Sequence, residues 1–180
     1  MATATPTRIS PSEYLRTSYR PDCDFVDGVV EERNLGELDH SAVQRALLKW
    51  FIEHERDLGL IAYTELRIQV SPTRFRVADL CVLSTSAPRE QIIQTPPVAV
   101  IEVLSPEDRV SRYLQRLDDY RKMGIRNVWM IDPAERKGFD FSSGNWIETA
   151  TFSDASTGLR LDLAALFASI DDALADPGTR

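Results

Sequence analysis

The segment from Arg76 to Pro133 contains two carboxylates that interrupt apolar strands. It includes RVADLCVLS (76–84) and, after a loop, VAVIEVLSP (98–106). Asp79 breaks the first apolar run, and Glu102 lies in the second, which is apolar on both faces as a central strand is. A carboxylate buried in such a strand is costly unless it is paired, protonated or bound to a metal. One site shared by both residues would explain them.

The chemistry of such a site depends on whether the two strands are adjacent. If they are, the oxygens of Asp79 and Glu102 converge near a backbone carbonyl such as that of Val103. This donor set suits Mg²⁺ or Mn²⁺, which take few protein ligands and keep bound water. A divalent ion held there can activate water and neutralise charge on a phosphodiester. The alternative is a buried network of ion pairs between these acids and arginines of the next helix.

Length and charge narrow the classes of protein. The chain has 180 residues and a formal charge of −7. This length is enough for one domain with a sizeable core. The negative charge argues against a general basic coat for nucleic acid, although it leaves room for a local basic patch. On charge pattern alone, the basic residues of the 109–126 segment are typical of a solvated helix face; they are Arg109, Arg112, Arg116, Arg121, Lys122 and Arg126.

Targeting and redox signals favour a cytoplasmic protein. No apolar run approaches the roughly 18 to 20 residues of a membrane span, and the start MATATPTRIS has no apolar signal core. The two cysteines, Cys23 and Cys81, belong to no CxxC pair or Cys/His cluster, so no zinc site is indicated. We therefore expect a reducing compartment and no membrane association.

The periodicity of the sequence predicts an α/β, or α+β-like, domain with a mixed sheet flanked by helices. We expect one domain over residues 1–180, with an ordered core of about 10–170 and loose termini. The predicted elements are a short helix capped by Ser10, a hairpin over 24–31 turning at Asp27–Gly28, a helix over 39–55 capped by Asp39, strands over 60–70, 75–83 and 98–104, a helix starting at Ser105 or Asp108 and ending at Gly124, a strand over 127–131, an antiparallel pair over 137–141 and 146–151, and a helix over 163–170.

Several motifs in this order resemble one known family. They are FVDGVVEE (25–32), DHSAVQRAL (39–47), RVADLCVLS (76–84), PPVAVIEVLSP (96–106), DDYRKMGIRNVWMIDP (118–133) and LRLDLAALF (159–167). Together they resemble the Uma-type putative restriction endonuclease family, a bacterial branch of the PD-(D/E)XK nuclease superfamily. The resemblance implies a restriction-endonuclease-like core and metal-dependent cleavage of phosphodiester bonds in DNA. It also implies Mg²⁺ or Mn²⁺ as cofactor and a homodimer as a candidate assembly.

The resemblance assigns the site residues one by one. The metal-binding aspartate of the family maps onto Asp79 and its glutamate onto Glu102. The Val103 carbonyl, next to Glu102 in the chain, is the further ligand expected from the donor chemistry. The superfamily's lysine would follow at Leu104. In the Uma-type branch it lies instead on the next helix, four residues before a tyrosine, which places Arg116 at that position.

The arginine matters because it changes what the site can do. Arg116 keeps the positive charge and can clamp a phosphate, but it stays protonated and cannot act as a base. Asp79, Glu102 and Arg116 are therefore the expected catalytic residues. The alternative is a catalytically weak or inactive nuclease-like module that binds nucleic acid or a protein partner.

Four more residues are secondary candidates for this site. His40 begins the first long helix, where a histidine is more often a polar surface residue than a catalyst. Glu65 could face either the site or solvent. Tyr113 or Tyr120 could support Arg116, although both fit the packed face of their helix.

Overall fold

The computed structural model describes residues 8–33, 37–105 and 110–175. The predicted elements are present in their predicted order, and a second small sheet lies just before the last helix. In chain order the elements are α1 (Pro11–Arg16), β1 (Cys23–Val26), β2 (Val29–Glu32), α2 (Leu38–Leu58), β3 (Leu60–Ser71), β4 (Arg74–Ser84), β5 (Ala99–Val103), α3 (Val110–Met123), β6 (Asn127–Asp132), β7 (Lys137–Asp140), β8 (Ile147–Thr149), β9 (Thr151–Asp154), β10 (Leu159–Asp162) and α4 (Leu163–Leu174).

The main sheet is mixed, as the sequence predicts. Its strands lie in the order β2-β1-β4-β5-β6-β7-β8, and β3 pairs with the other edge of β4. Strands β5 and β6 run parallel and are joined by α3, whereas the other described pairs of this sheet are antiparallel. A parallel pair needs such a crossover connection, and a helix is its usual form.

Two different strands share one edge of β4. Strand β1 pairs with the beginning of β4, where Phe25 is opposite Phe75. Strand β5 pairs with the end of β4, where Leu80 is opposite Ile101. The edge of β4 therefore passes from β1 to β5 close to Asp79, and we call this point the fork.

Helices cover both faces of the sheet. Helices α2 and α4 and the small β9–β10 sheet pack on one face, and α3 packs on the other. The first cluster includes Leu47, Phe51, Leu80, Ile101, Trp129, Phe152, Leu161 and Phe167. The second includes Ile68, Ala78, Cys81, Val100, Tyr113, Leu117, Tyr120 and Met130.

Local turn and cap signals act largely as predicted. Ser10 caps α1 by accepting a hydrogen bond from the Glu13 amide. Asp27 and Gly28 both have positive φ, at 49° and 96°, which is the geometry of a tight hairpin turn. The predicted cap of α2 is wrong, because Glu37 holds that position and Asp39 lies in the first turn. Of the two caps proposed for α3, Asp108 lies outside the described residues.

The sequence analysis missed the antiparallel pair β9–β10. Each strand has only four residues, and TFSD (151–154) has a single large apolar side chain. That side chain, Phe152, is fully buried and stacks on Trp129 of the main sheet, with ring centroids 4.8 Å apart. The last helix, α4, also runs four residues beyond its predicted end at Ile170, to Leu174.

None of the helices in the described ranges is long and apolar enough to cross a membrane.

The stacking of Phe152 predicts a large loss of stability on truncation. Phe152→Ala should lower the free energy of unfolding by about 3 to 5 kcal/mol, because it removes a fully buried ring and leaves a cavity. Ile147→Ala, at a half-exposed position on neighbouring β8, should cost less than about 1 kcal/mol. Urea denaturation followed by circular dichroism measures both. Equal, small costs would show that the β9–β10 sheet contributes little to the core.

Candidate active site

Asp79 and Glu102 lie on adjacent strands, as the site hypothesis requires. The register that pairs Leu80 with Ile101 places Asp79 opposite Glu102 when it is continued by one residue. Both carboxylates are buried, with 3% and 0% of their surface exposed. Asp79 Oδ2 accepts a hydrogen bond of 2.8 Å from the amide of Val103. The two acids therefore meet where β4 and β5 diverge.

Next to this site, the even-numbered side chains of β3 switch from one face of the sheet to the other. Ala62 belongs to the α2 face of the sheet, whereas Ile68, also an even-numbered residue of β3, belongs to the α3 face. Between them Glu65 has a positive φ of 53°, and the pairings on either side of it place it opposite Asp79. Strained backbone of this kind is found most often at functional sites. The irregular backbone at Glu65 also explains why apolar and polar residues do not alternate perfectly along β3 in the sequence.

Asp24 is a third buried carboxylate at the fork, and the sequence analysis missed it. It lies on β1 and is 1% exposed. Its Oδ1 accepts a hydrogen bond of 2.9 Å from the Val77 amide. Asp24 and Asp79 thus bind backbone amides at positions where the strand ladder is interrupted. The criterion that selected Asp79, a carboxylate in an apolar strand, would also have selected Asp24 in CDFV (23–26).

Helix α3 contributes a cation and a hydroxyl to the site. Arg116 lies 3.2 Å from Glu102 Oε2 through Nη1, and its Nε donates to Asp24 Oδ2 over the same distance. The Tyr120 hydroxyl donates to Glu102 Oε1 over 2.7 Å. Tyr113 is buried in the core on the same face. Arg116 therefore spans the fork from β1 to β5, and Tyr120 holds the second oxygen of Glu102.

A second arginine connects the site to the hairpin and to α3. Arg76 is 1% exposed and lies 3.0 Å from Asp24 Oδ2 and 2.6 Å from Asp119 Oδ2. Glu31 lies 3.4 Å from the same guanidinium. The ion-pair alternative raised from the sequence is therefore present in part. It is centred on Arg76, which the sequence analysis did not single out.

Arg33, which follows β2, and His40 and Gln44 of α2 also contact Asp79. Arg33 bridges the carboxylates of Asp79 and Glu65. His40 Nε2 lies 3.3 Å from Asp79 Oδ2. Gln44 donates to the Asp79 carbonyl over 2.8 Å and to Glu65 Oε1 over 3.0 Å. His40 and Glu65 thus lie in the site, whereas Arg33 and Gln44 had no signal in the sequence beyond their polarity.

The two central acids have opposite protonation preferences. Burial raises the pKa of Glu102, and the negative charge of Asp79 raises it further. Burial acts the same way on Asp79, but the hydrogen bond from His40 and the charge of Arg33 outweigh it and lower the pKa of Asp79. The site therefore holds one firmly ionised carboxylate beside one that favours its neutral form.

The buried carboxylates of the site outnumber its buried guanidiniums only when Glu102 is ionised. The site's four buried carboxylates face three guanidiniums that are at most 15% exposed, those of Arg33, Arg76 and Arg116. The carboxylates are those of Asp24, Asp79, Glu102 and Asp119. In the part of the chain that the structure describes, no group of three or more His, Cys, Asp or Glu side chains is arranged to hold a metal. Mg²⁺ needs only one or two carboxylates and completes its shell with water, so Asp79 and Glu102 fit such an ion.

The fold and the arrangement of acids define a nuclease-like core, and comparison with known families agrees. The chain belongs to the Uma2 family, described as putative restriction endonuclease, which matches residues 11–168. This confirms the family that the motifs predict. No curated protein matches the chain.

Among solved structures, the chain is similar to a putative nuclease belonging to DUF820 from Anabaena variabilis ATCC 29413. The two are 22% identical, the match covers 90% of this chain and 99% of the other, and the TM-score is 0.79. This likeness establishes the fold and confirms the predicted fold class. A DrdV–DNA complex matches 74% of this chain with 11% of its own, at 14% identity and a TM-score of 0.44, which is too weak to carry an argument.

The raised pKa of Glu102 predicts a loss of stability with rising pH. Its pKa is about 8 in the folded protein and 4.5 ordinarily, so between these values the folded state binds the proton more tightly than the unfolded chain. In chelator-treated protein, the free energy of unfolding should fall between about pH 5 and pH 8, by up to about 1.4 kcal/mol per pH unit. Glu102→Gln should flatten this slope in urea denaturation at a series of pH values. Parallel slopes for the two proteins would contradict it.

Proposed function

We propose that this protein is a divalent-metal-dependent endonuclease that hydrolyses phosphodiester bonds of DNA. The observation that carries the proposal is the convergence of Asp79 and Glu102 on adjacent strands, with Arg116 hydrogen-bonded to Glu102. Two buried acids beside a fixed cation are the groups that phosphodiester hydrolysis needs for metal binding and charge stabilisation. Membership of the Uma2 family supports the same reading.

The protein's own ligands for the metal are Asp79, Glu102 and the backbone carbonyl of Val103. Bound Mg²⁺ or Mn²⁺ would supply a water of lowered pKa and neutralise charge on the phosphate. Tyr120 holds Glu102 Oε1, and Val103 holds Asp79 Oδ2. These contacts fix both carboxylates before any ligand arrives, which reduces the cost of ordering them.

Arg116 stabilises the negative charge that develops on the phosphate. Its guanidinium is already oriented by Asp24 and Glu102. It remains protonated throughout, so its contribution is electrostatic and proton transfer from water must use another group. This limitation points to slow turnover rather than to loss of metal binding.

DNA is the proposed substrate because the family is described as putative restriction endonuclease. The net charge of −7 gives no general attraction to a polyanion. Binding therefore depends on local contacts to the backbone near the site, and we expect it to weaken steeply with salt.

A second candidate function is a nuclease-like module that binds DNA without cutting it. The observation that favours it is the double engagement of Arg116, whose donors are shared between two buried carboxylates. A guanidinium held in this way is less free to follow a phosphate into the transition state. Salt-sensitive DNA binding without cleavage would select this function.

The proposed activity predicts metal-dependent cleavage that needs Glu102. Wild-type protein should nick or linearise plasmid DNA with Mg²⁺ or Mn²⁺, and Glu102→Gln should reduce the rate by at least about 100-fold, because it removes a metal ligand. Glu148→Gln, an exposed acid on β8 that pairs with Lys137, is the matched control and should retain full activity. No cleavage by the wild type at high enzyme concentration would favour the binding module.

The position of Arg116 predicts a gain on substitution by lysine. If this helix position is that of the family's lysine, Arg116→Lys should raise the cleavage rate about tenfold or more, because an amine can exchange a proton. The single-turnover rate at saturating Mn²⁺ separates this effect from changes in metal affinity. An unchanged or lower rate would argue that arginine is the functional residue here.

A further inference from the structure

Arg33 occupies an unusual place for a surface-hairpin residue. It follows β2 directly, yet its side chain is only 11% exposed. Its two terminal nitrogens contact different carboxylates, Nη2 that of Asp79 and Nη1 that of Glu65. Its Nε finds no partner among the residues that the structure describes. The residue is thus drawn into the site by charge and is not fully satisfied there.

The carboxylate oxygen that Arg33 contacts is the one a metal would need. Asp79 Oδ2 is taken by the Val103 amide and approached by His40. Asp79 Oδ1 is left for a cation, and Arg33 binds it. Burial opposes the charge of Arg33, but Asp79, Glu65 and Glu102 together outweigh it and hold the pKa of Arg33 above its ordinary value. The guanidinium therefore lies in the field of the same carboxylates that would attract a divalent ion.

We propose that Arg33 is the resident cation of the metal-free site and that a divalent ion must displace it from Asp79 in order to bind. This inference rests on the proposed metal dependence of the protein. Arg33 then acts as a competitor that raises the ion concentration needed to load the site. It also neutralises Asp79 when no ion is bound, which spares the fold an unpaired buried charge.

Glu65 gives the displaced side chain a place to go. It is 42% exposed, so a guanidinium held by Glu65 alone can turn toward solvent without losing its ion pair. Gln44 fixes Glu65 through its other oxygen, over 3.0 Å. Exchange of Arg33 for a metal ion therefore requires the Arg33 side chain to move away from Asp79. It requires no rearrangement of the β3 or β4 backbone.

Calorimetric titration of the chelator-treated full chain with Mn²⁺ tests the proposal. Arg33→Gln should lower the Kd for Mn²⁺ by about tenfold or more, since one charge at contact distance shifts ion affinity of a carboxylate by that order. Arg67→Gln is the matched control. It removes a half-buried arginine from β3 that contacts the Tyr14 ring, and it should leave the Kd within about twofold of wild type. Asp79→Asn should abolish binding in either background.

The outcomes separate this inference from the proposed function. Measurable Mn²⁺ binding with equal or weaker affinity in Arg33→Gln overturns the role of Arg33 and leaves the metal site standing. Absence of Mn²⁺ binding in wild type and Arg33→Gln alike overturns both. If Arg33→Gln does not fold, Arg33→Lys replaces it: the ammonium lacks the planar fork with which Arg33 contacts two carboxylates at once, so the Kd should still fall several-fold. An unchanged Kd in Arg33→Lys would count against the proposal.

Discussion

The hydrogen bond from the Val103 amide to Asp79 is the interaction on which the site depends. In a regular antiparallel ladder, the amides of one strand bind the carbonyls of its neighbour. Here β4 exchanges one neighbour for another, and the exchange leaves amides that need acceptors. Asp79 supplies one for Val103 and Asp24 one for Val77. The buried carboxylates are therefore part of the sheet as well as part of the site, because an unpaired amide at this depth would cost free energy comparable to a lost hydrogen bond.

This double role reconciles the two readings that the sequence left open. A network of buried ion pairs and the proposed metal site are compatible, because they involve the same acidic residues. Asp24 and Asp119 satisfy Arg76, while Asp24 also orients Arg116 toward Glu102. Arg76 and Arg116 hold the carboxylates of Asp24, Glu102 and Asp119 in place, and Asp79 stays ionised beside them. A cation bound at the fork would therefore share the oxygens of Asp79 and Glu102 with the groups that already contact them.

The sequence predicted the centre of this arrangement better than its surroundings. Asp79 and Glu102 were conspicuous because long apolar strands surround them, and Arg116 followed from the resemblance to the family, whose lysine lies at that helix position. Arg33, Gln44 and Arg76 carry no such contrast, since each lies in an ordinary polar or amphipathic context. Arg33 and Gln44 contact Asp79 from 46 and 35 residues away along the chain, and Arg76 contacts Asp24 from 52 residues away. Strand pairing brings them together, and local periodicity contains no information about which strands pair. The sequence analysis missed the β9–β10 pair for a related reason: its burial depends on Trp129, a residue of a distant strand.

The presence of arginine at position 116 has a structural reason that is independent of catalysis. Its Nε and Nη1 reach acids on two different strands, 92 and 14 residues away along the chain. A guanidinium can do this because its donors lie in a rigid planar fork, whereas an ammonium is a single point of charge. With a lysine here, Asp24 would keep Arg76 and the Val77 amide but lose its contact across the fork. The arginine thus couples β1 to β5 through α3, and any gain in proton transfer from a lysine would come at the expense of that coupling. Under the proposed function, stability and turnover would therefore place opposing demands on this side chain.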